Sequence, residues 1–290
     1  VTREALNAAA DALRAAGVED PRLDAEVLLA EATGWDRARL AADPEAEIPP
    51  AAARRFGETV RRRLRREPVA YILGRRGFRH IELAVDPRVL IPRPETELLV
   101  ELALELRPSR LLDVGTGSGA IALAVASELP DCKVVATDAS SAALEVARAN
   151  AERLGLADRV ELVQGTLPDS GEFDLVLANL PYVSEAEWDG LESEVTEWEP
   201  REALLAGPDG LDAIRALLGM KLPAGCLALE VGEGQAAAVG EMLREAGFTQ
   251  IEVREDLAGI ERIVIGRPHP GDFAFLGAIA HQTTKSALDG

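Results

Sequence analysis

LLDVGTGSGAIALAVASEL, residues 111–129, passes from an apolar run through three glycines into an alanine-rich stretch. That order predicts a buried strand, a turn at Gly115, Gly117 and Gly119, and an amphipathic helix. Glycine lets the backbone close against a ligand, and the helix beginning there presents free N–H groups. Next comes KVVATD, a second strand ending in Asp138, where a carboxylate can accept hydrogen bonds from the two hydroxyls of a ribose. A dinucleotide site shares this G-x-G pattern with a later acid. Here, however, the turn reads D-x-G-x-G-x-G, with Asp113 ahead of the first glycine. An acid repels a pyrophosphate and suits a cationic sulfonium with its amino-acid moiety. S-adenosylmethionine is therefore the favoured cofactor, and Asp113, Gly115, Thr116, Gly117, Ser118, Gly119 and Asp138 are its candidate contacts.

On either side the same alternation continues. RLLDV, KVVATD, VELVQG, FDLVLAN, GCLALEVG, IEVRED and ERIVIG are apolar segments separated by helical patterns, which predicts a doubly wound α/β sheet with ligands at the carboxyl ends of its strands. Gly115, Asp138, Leu167 and Asn179 all fall at such ends. The last of them opens Asn179-Leu180-Pro181-Tyr182. Asn and Pro are common in ordinary strand-to-loop turns, but the four residues also suit a planar amino group. Its nitrogen is a poor nucleophile because the lone pair is delocalised. Two acceptors, the Asn179 side-chain oxygen and the Leu180 carbonyl, can hold both N–H bonds and raise electron density on nitrogen. Pro181 stiffens the turn and Tyr182 offers an aromatic face.

With both motifs in hand, the chain resembles the HemK/PrmC family of peptide-chain release factor glutamine methyltransferases. The likeness runs from about Pro21 to Pro268 through RLDAEVLLAEATGWDRARL, EPVAYILGRRGF, VLIPRPETELLVE, DVGTGSG, NLPY, EPREALLAGPDGL and RIVIGRP, with IPRPETE at 91–97 the most specific part. It implies a Rossmann-like S-adenosylmethionine-dependent methyltransferase domain, with Gly115 to Gly119 and Asp138 on the cofactor, Leu167 flanking the adenine and Asn179 close to both ligands. Asn179 to Tyr182 would grip the glutamine amide, and Arg93 and Glu97 would lie near the pocket. The family more often has Asn-Pro-Pro-Tyr. Leu180 keeps the carbonyl and restores an N–H. Asn-Leu-Pro-Tyr is also the form in ribosomal RNA adenine dimethyltransferases, so a ribosomal-protein glutamine and a nucleic-acid adenine stay as alternative acceptors.

The formal charge of −19 and a pI near 4.6 are the wrong sign for affinity built on phosphate contacts; no direct nucleic-acid partner is expected. Arg54 to Arg66 holds seven arginines in thirteen residues, a pattern read first as a solvated helix face and secondly as a docking surface for an acidic protein. Cys132 and Cys226 stand far apart, and His80, His269 and His281 are scattered, so neither a metal cage nor a disulfide framework is expected. No essential His, Cys or Lys is expected either. Without an 18-residue apolar stretch or a signal sequence, the expected setting is a soluble, reducing cytoplasm. The expected organisation is a helical partner-recognition domain over 1–70, a bridging β-hairpin over 71–94, the methyltransferase domain over 95–268, and a tail over 269–290 to which no role is assigned. In IPRPETE, Glu95 and Glu97 are read as opening a helix whose positive end suits acids.

Overall fold

All of Leu111–Val114 is buried, as a strand covered on both faces requires. The computed structural model describes residues 1–168, 171–220, 222 and 224–268; the expected tail at 269–290 lies outside them. Five helices come first: α1 (Thr2–Ala15), α2 (Pro21–Thr33), α3 (Arg37–Ala42), α4 (Pro50–Arg63) and α5 (Val69–Leu73). Pro21 and Pro50 open α2 and α4, where a missing N–H removes no intrahelical bond. Strands β1 (Arg75–Phe78) and β2 (Ile81–Ala84) pair as a two-stranded sheet. A 3-10 turn at Pro94–Thr96 enters α6 (Glu97–Leu106). There follow β3 (Arg110–Val114), α7 (Ala120–Glu128), β4 (Lys133–Asp138), α8 (Ser141–Arg153), β5 (Val160–Gln164), β6 (Leu175–Ala178), α9 (Glu185–Trp188) and α10 (Ser193–Trp198). The last elements are α11 (Asp212–Leu218), β7 (Leu227–Glu230), α12 (Ala236–Glu245), β8 (Phe248–Glu255) and β9 (Glu261–Pro268).

The chain divides into two compact units, the first comprising Val1–Arg75, Val85–Pro87 and Leu191–Glu199, the second Arg76–Ala84, Arg88–Gly190 and Pro200 onward. The first unit is helical around Leu6, Leu13, Leu28, Leu29, Leu40 and Phe56. Its arginine block is only partly the solvated face that its charge suggests. Arg54, Arg61 and Arg65 are exposed, but Arg63 is buried between Asp24, at 2.6 Å, and Glu194, at 2.7 Å. Arg66 also pairs with Glu194, and Arg62 pairs with Glu67. Burial pushes the Asp24 carboxyl up in spite of Arg63. For Glu194 burial acts the same way, but hydrogen bonds from Arg66 and Arg63 prevail and its pKa falls.

The second unit is built on a seven-stranded sheet of order β5-β4-β3-β6-β7-β9-β8. The first five strands run parallel, and β9 is antiparallel to both β7 and β8. From β3 the chain winds outward to β4 and β5, then returns to β6 on the other side of β3. That reversal opens a crevice at the carboxyl ends of β3 and β6. Since Val114 pairs with Ala178 in the register, the glycine turn and Asn179 emerge side by side. Helix α7 departs from its amphipathic reading: Ala120 through Ala126 are all buried. Its alanines let neighbours pack on every side, so no polar face is needed. Among the described residues, no helix is long and apolar enough to cross a membrane.

Candidate active site

The glycine turn is shaped by backbone conformations and contacts that side chains would obstruct. Gly115 and Gly119 have φ of 73° and 85°, in the left-handed region. A Cβ on Gly115 would lie 3.3 Å from Leu180 Cδ2, and one on Gly119 would lie 2.8 Å from Leu123 Cδ1. Thr137 C=O accepts hydrogen bonds from the N–H of Gly115 and of Thr116. Asp138 closes the loop from the next strand end: Oδ2 accepts from Gly117 N–H at 2.9 Å and Oδ1 from Ser140 N–H at 2.9 Å. Buried Asn150 donates to Ser118 C=O at 2.9 Å.

These turns border a cavity of about 500 Å³ lined by Val114 to Ser118, Asp138 to Ser140, Gly165, Thr166 and Asn179 to Pro181, among others. Arg88 to Leu90, Pro92, Arg93 and Thr96 line it from the segment ahead of α6, and Pro200, Glu202 and Ala203 from the segment after α10. The sequence-predicted residues Gly115, Thr116, Gly117, Ser118, Asp138, Asn179, Leu180 and Pro181 therefore meet at one cavity.

Asp113, Gly119, Leu167 and Tyr182 are not among the lining residues. Asp113 is fully buried, and its Oδ2 accepts from Thr116 Oγ1 at 2.6 Å and Ala122 N–H at 3.2 Å. Burial pushes its pKa up to about 7 against those two hydrogen bonds. Its carboxylate braces the turn from behind and does not face the cavity. Leu167 packs on the core, leaving Gly165 and Thr166 at the wall. The Tyr182 hydroxyl is pushed up to about 12 by burial, with Glu230 adding to the rise. Glu97 is likewise absent from the lining residues, and its Oε1 accepts from Arg79 N–H at 3.0 Å.

The structure adds residues that pattern reading passes over. Asn179 Nδ2 donates to Thr96 Oγ1 at 2.9 Å; Glu230 is buried as well, and burial pushes its carboxyl up to about 7 while Thr96 acts to hold it down. Thr96 lies inside the IPRPETE stretch already noticed, but its value comes from a partner 83 positions away. Glu230 ends an apolar strand, where an acid signals a terminus as readily as a function. The segment EPREALLAGPDGL also gains a use. Val183 N–H donates to Leu204 C=O, Ala206 N–H to Val183 C=O and Glu185 N–H to Gly207 C=O. Tyr182 C=O accepts from Gln235 Nε2 at 2.9 Å, and a Cβ on Gly210 would approach that same carbonyl oxygen to 2.2 Å. The turn carrying Asn179 is thus followed by backbone bonds to the 204–207 segment and by a side-chain bond from Gln235.

A doubly wound sheet with a cavity at its switch point and an Asp at the neighbouring strand end is the frame of a nucleoside-binding enzyme, and residues 111–198 match the family described as methyltransferase domain, which gives the class. The catalytic domain of hMettl16, in complexes with MAT2A 3′UTR hairpins 1 and 6, shares the fold at TM-scores of 0.54 and 0.53 and 17% and 18% identity. The two alignments cover 73% and 64% of this chain and 82% and 76% of those chains. Residues 4–74 match the PrmC N-terminal domain. The release factor glutamine methyltransferase of Moorella thermoacetica is 47% identical over 272 residues, covering 90% of this chain and 96% of that one. The enzyme of the same name from Caulobacter vibrioides is 42% identical over 278 residues, covering 92% and 96%. The chain belongs to the release factor glutamine methyltransferase family.

Its cofactor is S-adenosylmethionine, and the residues present fit that group. The glycine turn leaves room that side chains would fill, and each Asp138 oxygen, having accepted one backbone hydrogen bond, retains capacity for a hydroxyl. Among the described residues no group of His, Cys, Asp and Glu is arranged to hold a metal ion.

Proposed function

We propose that this enzyme methylates the side-chain amide nitrogen of the glutamine in the Gly-Gly-Gln motif of peptide-chain release factors. The observation that carries this reading is the polarity of Asn179. Because Nδ2 donates to Thr96, Oδ1 is the end left to receive a substrate. Leu180 C=O accepts no hydrogen bond from the described residues and supplies a second acceptor one residue on. A primary amide has two in-plane N–H bonds, and two adjacent acceptors fix its plane and enrich the nitrogen in electron density. S-adenosylmethionine supplies the methyl group, with Gly115 to Gly119 and Asp138 as its contacts. The helical first unit is proposed to recognise the release factor through the exposed Arg54, Arg61 and Arg65, and the reaction is assigned to the cytoplasm.

The test is transfer of labelled methyl from S-adenosylmethionine to a bacterial release factor, to the same factor with its Gly-Gly-Gln glutamine changed to alanine, to large-subunit ribosomal protein and to ribosomal RNA. Label on the intact factor alone is expected. Label retained by the alanine variant, or carried by ribosomal protein or RNA instead, overturns the assignment.

A further inference from the structure

Gln235 stands just ahead of α12, yet its side chain makes no capping bond to that helix. It reaches instead to three stretches of backbone. Oε1 accepts from Gly232 N–H at 2.8 Å, and Nε2 donates to Tyr182 C=O at 2.9 Å and to Asp209 C=O at 3.4 Å. We propose that Gln235 is a positioning residue of the methyl transfer, a clamp that sets the aim of the acceptors at Asn179 and Leu180 by holding the Tyr182–Val183 peptide.

The polarity of the three partners settles which way the Gln235 amide faces. A backbone N–H can only donate and a carbonyl can only accept, so Oε1 lies at Gly232 and Nε2 at Tyr182 and Asp209. Both N–H bonds of Nε2 are thereby committed. Two glycines on separate loops leave the space for this contact. A Cβ on Gly210 would stand 2.7 Å from Nε2, and one on Gly232 would stand 3.0 Å from Oε1 and 3.2 Å from Tyr182 Cδ2. A side chain that only started a helix would need neither.

Tyr182 C=O and Val183 N–H belong to one planar peptide. Gln235 holds the first, and Leu204 C=O receives the second at 2.9 Å. At its other end the turn leaves β6 after Ala178, which is in register with Val114 and Leu229. Asn179 to Pro181 are therefore strung between two fixed ends. Pro181, with its locked φ, carries the constraint from the exit peptide back to the Leu180 carbonyl. Releasing Tyr182 C=O would let that carbonyl swing, and with it the plane in which a substrate amide is held. The contacts proposed for S-adenosylmethionine would be left in place.

This inference rests on the glutamine-amide reading, so its first test uses no substrate. Tyr182 is one of two tyrosines and the one followed by valine. In the full-length protein labelled with 13C at the tyrosine carbonyl and with 15N in valine, a single signal reports the Tyr182–Val183 peptide. It should move upfield in Gln235→Leu, where the carbonyl loses its donor. In Gln235→Glu it should move likewise at about pH 8 and return as the pH falls, because an ionised carboxylate has no hydrogen to give and a protonated one has one. The charges around that position are Asp209, paired with Arg215, and Glu230, Arg262, Arg93 and Glu95, which act on Tyr182. A signal unmoved in Gln235→Leu, or one without pH response in Gln235→Glu, overturns the clamp whatever the substrate. With release factor as substrate, Gln235→Leu should lower kcat by roughly tenfold or more, approaching the ~10²-fold loss expected when a reacting group is held about 1 Å out of place. Calorimetry should give unchanged S-adenosylmethionine affinity. The kcat of Gln235→Glu, taken relative to the unaltered enzyme at each pH, should recover towards acid, which a merely loosened fold would not do. Normal kcat in Gln235→Leu, an equal loss of cofactor affinity, or no acid recovery in Gln235→Glu overturns the positioning role. The expected signal changes with no transfer to release factor by the unaltered enzyme would instead sink the substrate assignment alone.

Discussion

Asn179 is useful because of what surrounds it. Thr96 accepts one of its amide hydrogens, and Leu180, beside it, offers a carbonyl. Asn179→Ala removes the side-chain acceptor and leaves the fold's backbone bonds intact. We expect kcat to fall on the order of 10²-fold, by analogy with deletion of one oxyanion-hole group, while calorimetry gives unchanged S-adenosylmethionine affinity. Near-normal turnover would show that the substrate amide is held elsewhere. Gly210 acts through space alone. Its φ of 76° and the 2.2 Å approach its Cβ would make to Tyr182 O leave no room for alanine. Gly210→Ala should cost about 2 kcal/mol or more, the left-handed penalty plus the displaced contact, and lower kcat more than cofactor affinity. Equal melting temperatures for the two proteins would refute this. Asn179 was legible in the sequence because its neighbours are unusual together. Gly210 was not, since a glycine in Gly-Pro-Asp-Gly looks like any turn until the carbonyl above it is known.

At the scale of elements, β3 and the turn after it were legible because a buried strand leaves a continuous apolar run and a left-handed turn calls for glycine. Helix α7 was misread as amphipathic. Alanine is compatible with either a buried or an exposed face, so its periodicity carries little information about what packs there. Helix α4 shows the opposite failure. Its arginines look uniformly solvated in sequence, yet Arg63 sits between Asp24 and Glu194, and only the return of a distant segment turns a surface charge into a buried one. Removing Arg63 leaves the Asp24 carboxyl without its cation, although Glu194 keeps Arg66. Arg63→Ala should therefore destabilise the first unit by about 3 kcal/mol, read as a lower denaturation midpoint, whereas Arg54→Ala, on an exposed position of the same helix, should change stability by less than about 0.5 kcal/mol. Comparable losses in both variants would mean that the Asp24 and Glu194 pairs contribute nothing.

For the whole molecule the two carboxyls pushed up furthest, Asp113 and Glu230, set a pH signature. Asp113 and Glu230 both titrate near 7 when folded, above their ordinary values of 3.8 and 4.5. The folded chain thus holds these protons more tightly than the unfolded one. Their contribution to stability is full below about pH 4 and is lost as pH rises through 7. The carboxyls that ion pairs hold down, such as Glu31 and Glu128, act in the other direction but only below their ordinary value. The melting temperature should accordingly rise as pH falls from 8 towards 5.5, and Asp113→Asn, whose side-chain oxygen can keep the bonds from Thr116 and Ala122, should flatten that slope. A slope unchanged in Asp113→Asn would place the proton uptake on other groups. A doubly wound sheet could be anticipated from alternation. The bond from Asn179 to Thr96 could not, because it depends on the carboxyl end of β6 meeting the segment ahead of α6.

The stretch Leu191–Glu199 belongs to the first unit although it follows the Asn-Leu-Pro-Tyr turn in the chain. A gene fragment cut after Arg75 would therefore carry Arg63 and Arg66 without Glu194, the acid that both of them meet. Such a fragment should be less stable than the same residues within the full chain. Grafting the helical unit onto another enzyme by a single splice would leave behind an acid that its arginines meet. Moving that unit whole between relatives would then require two crossovers, one on each side of the Asn-Leu-Pro-Tyr turn, so the compact unit is not the block that its sequence family delimits.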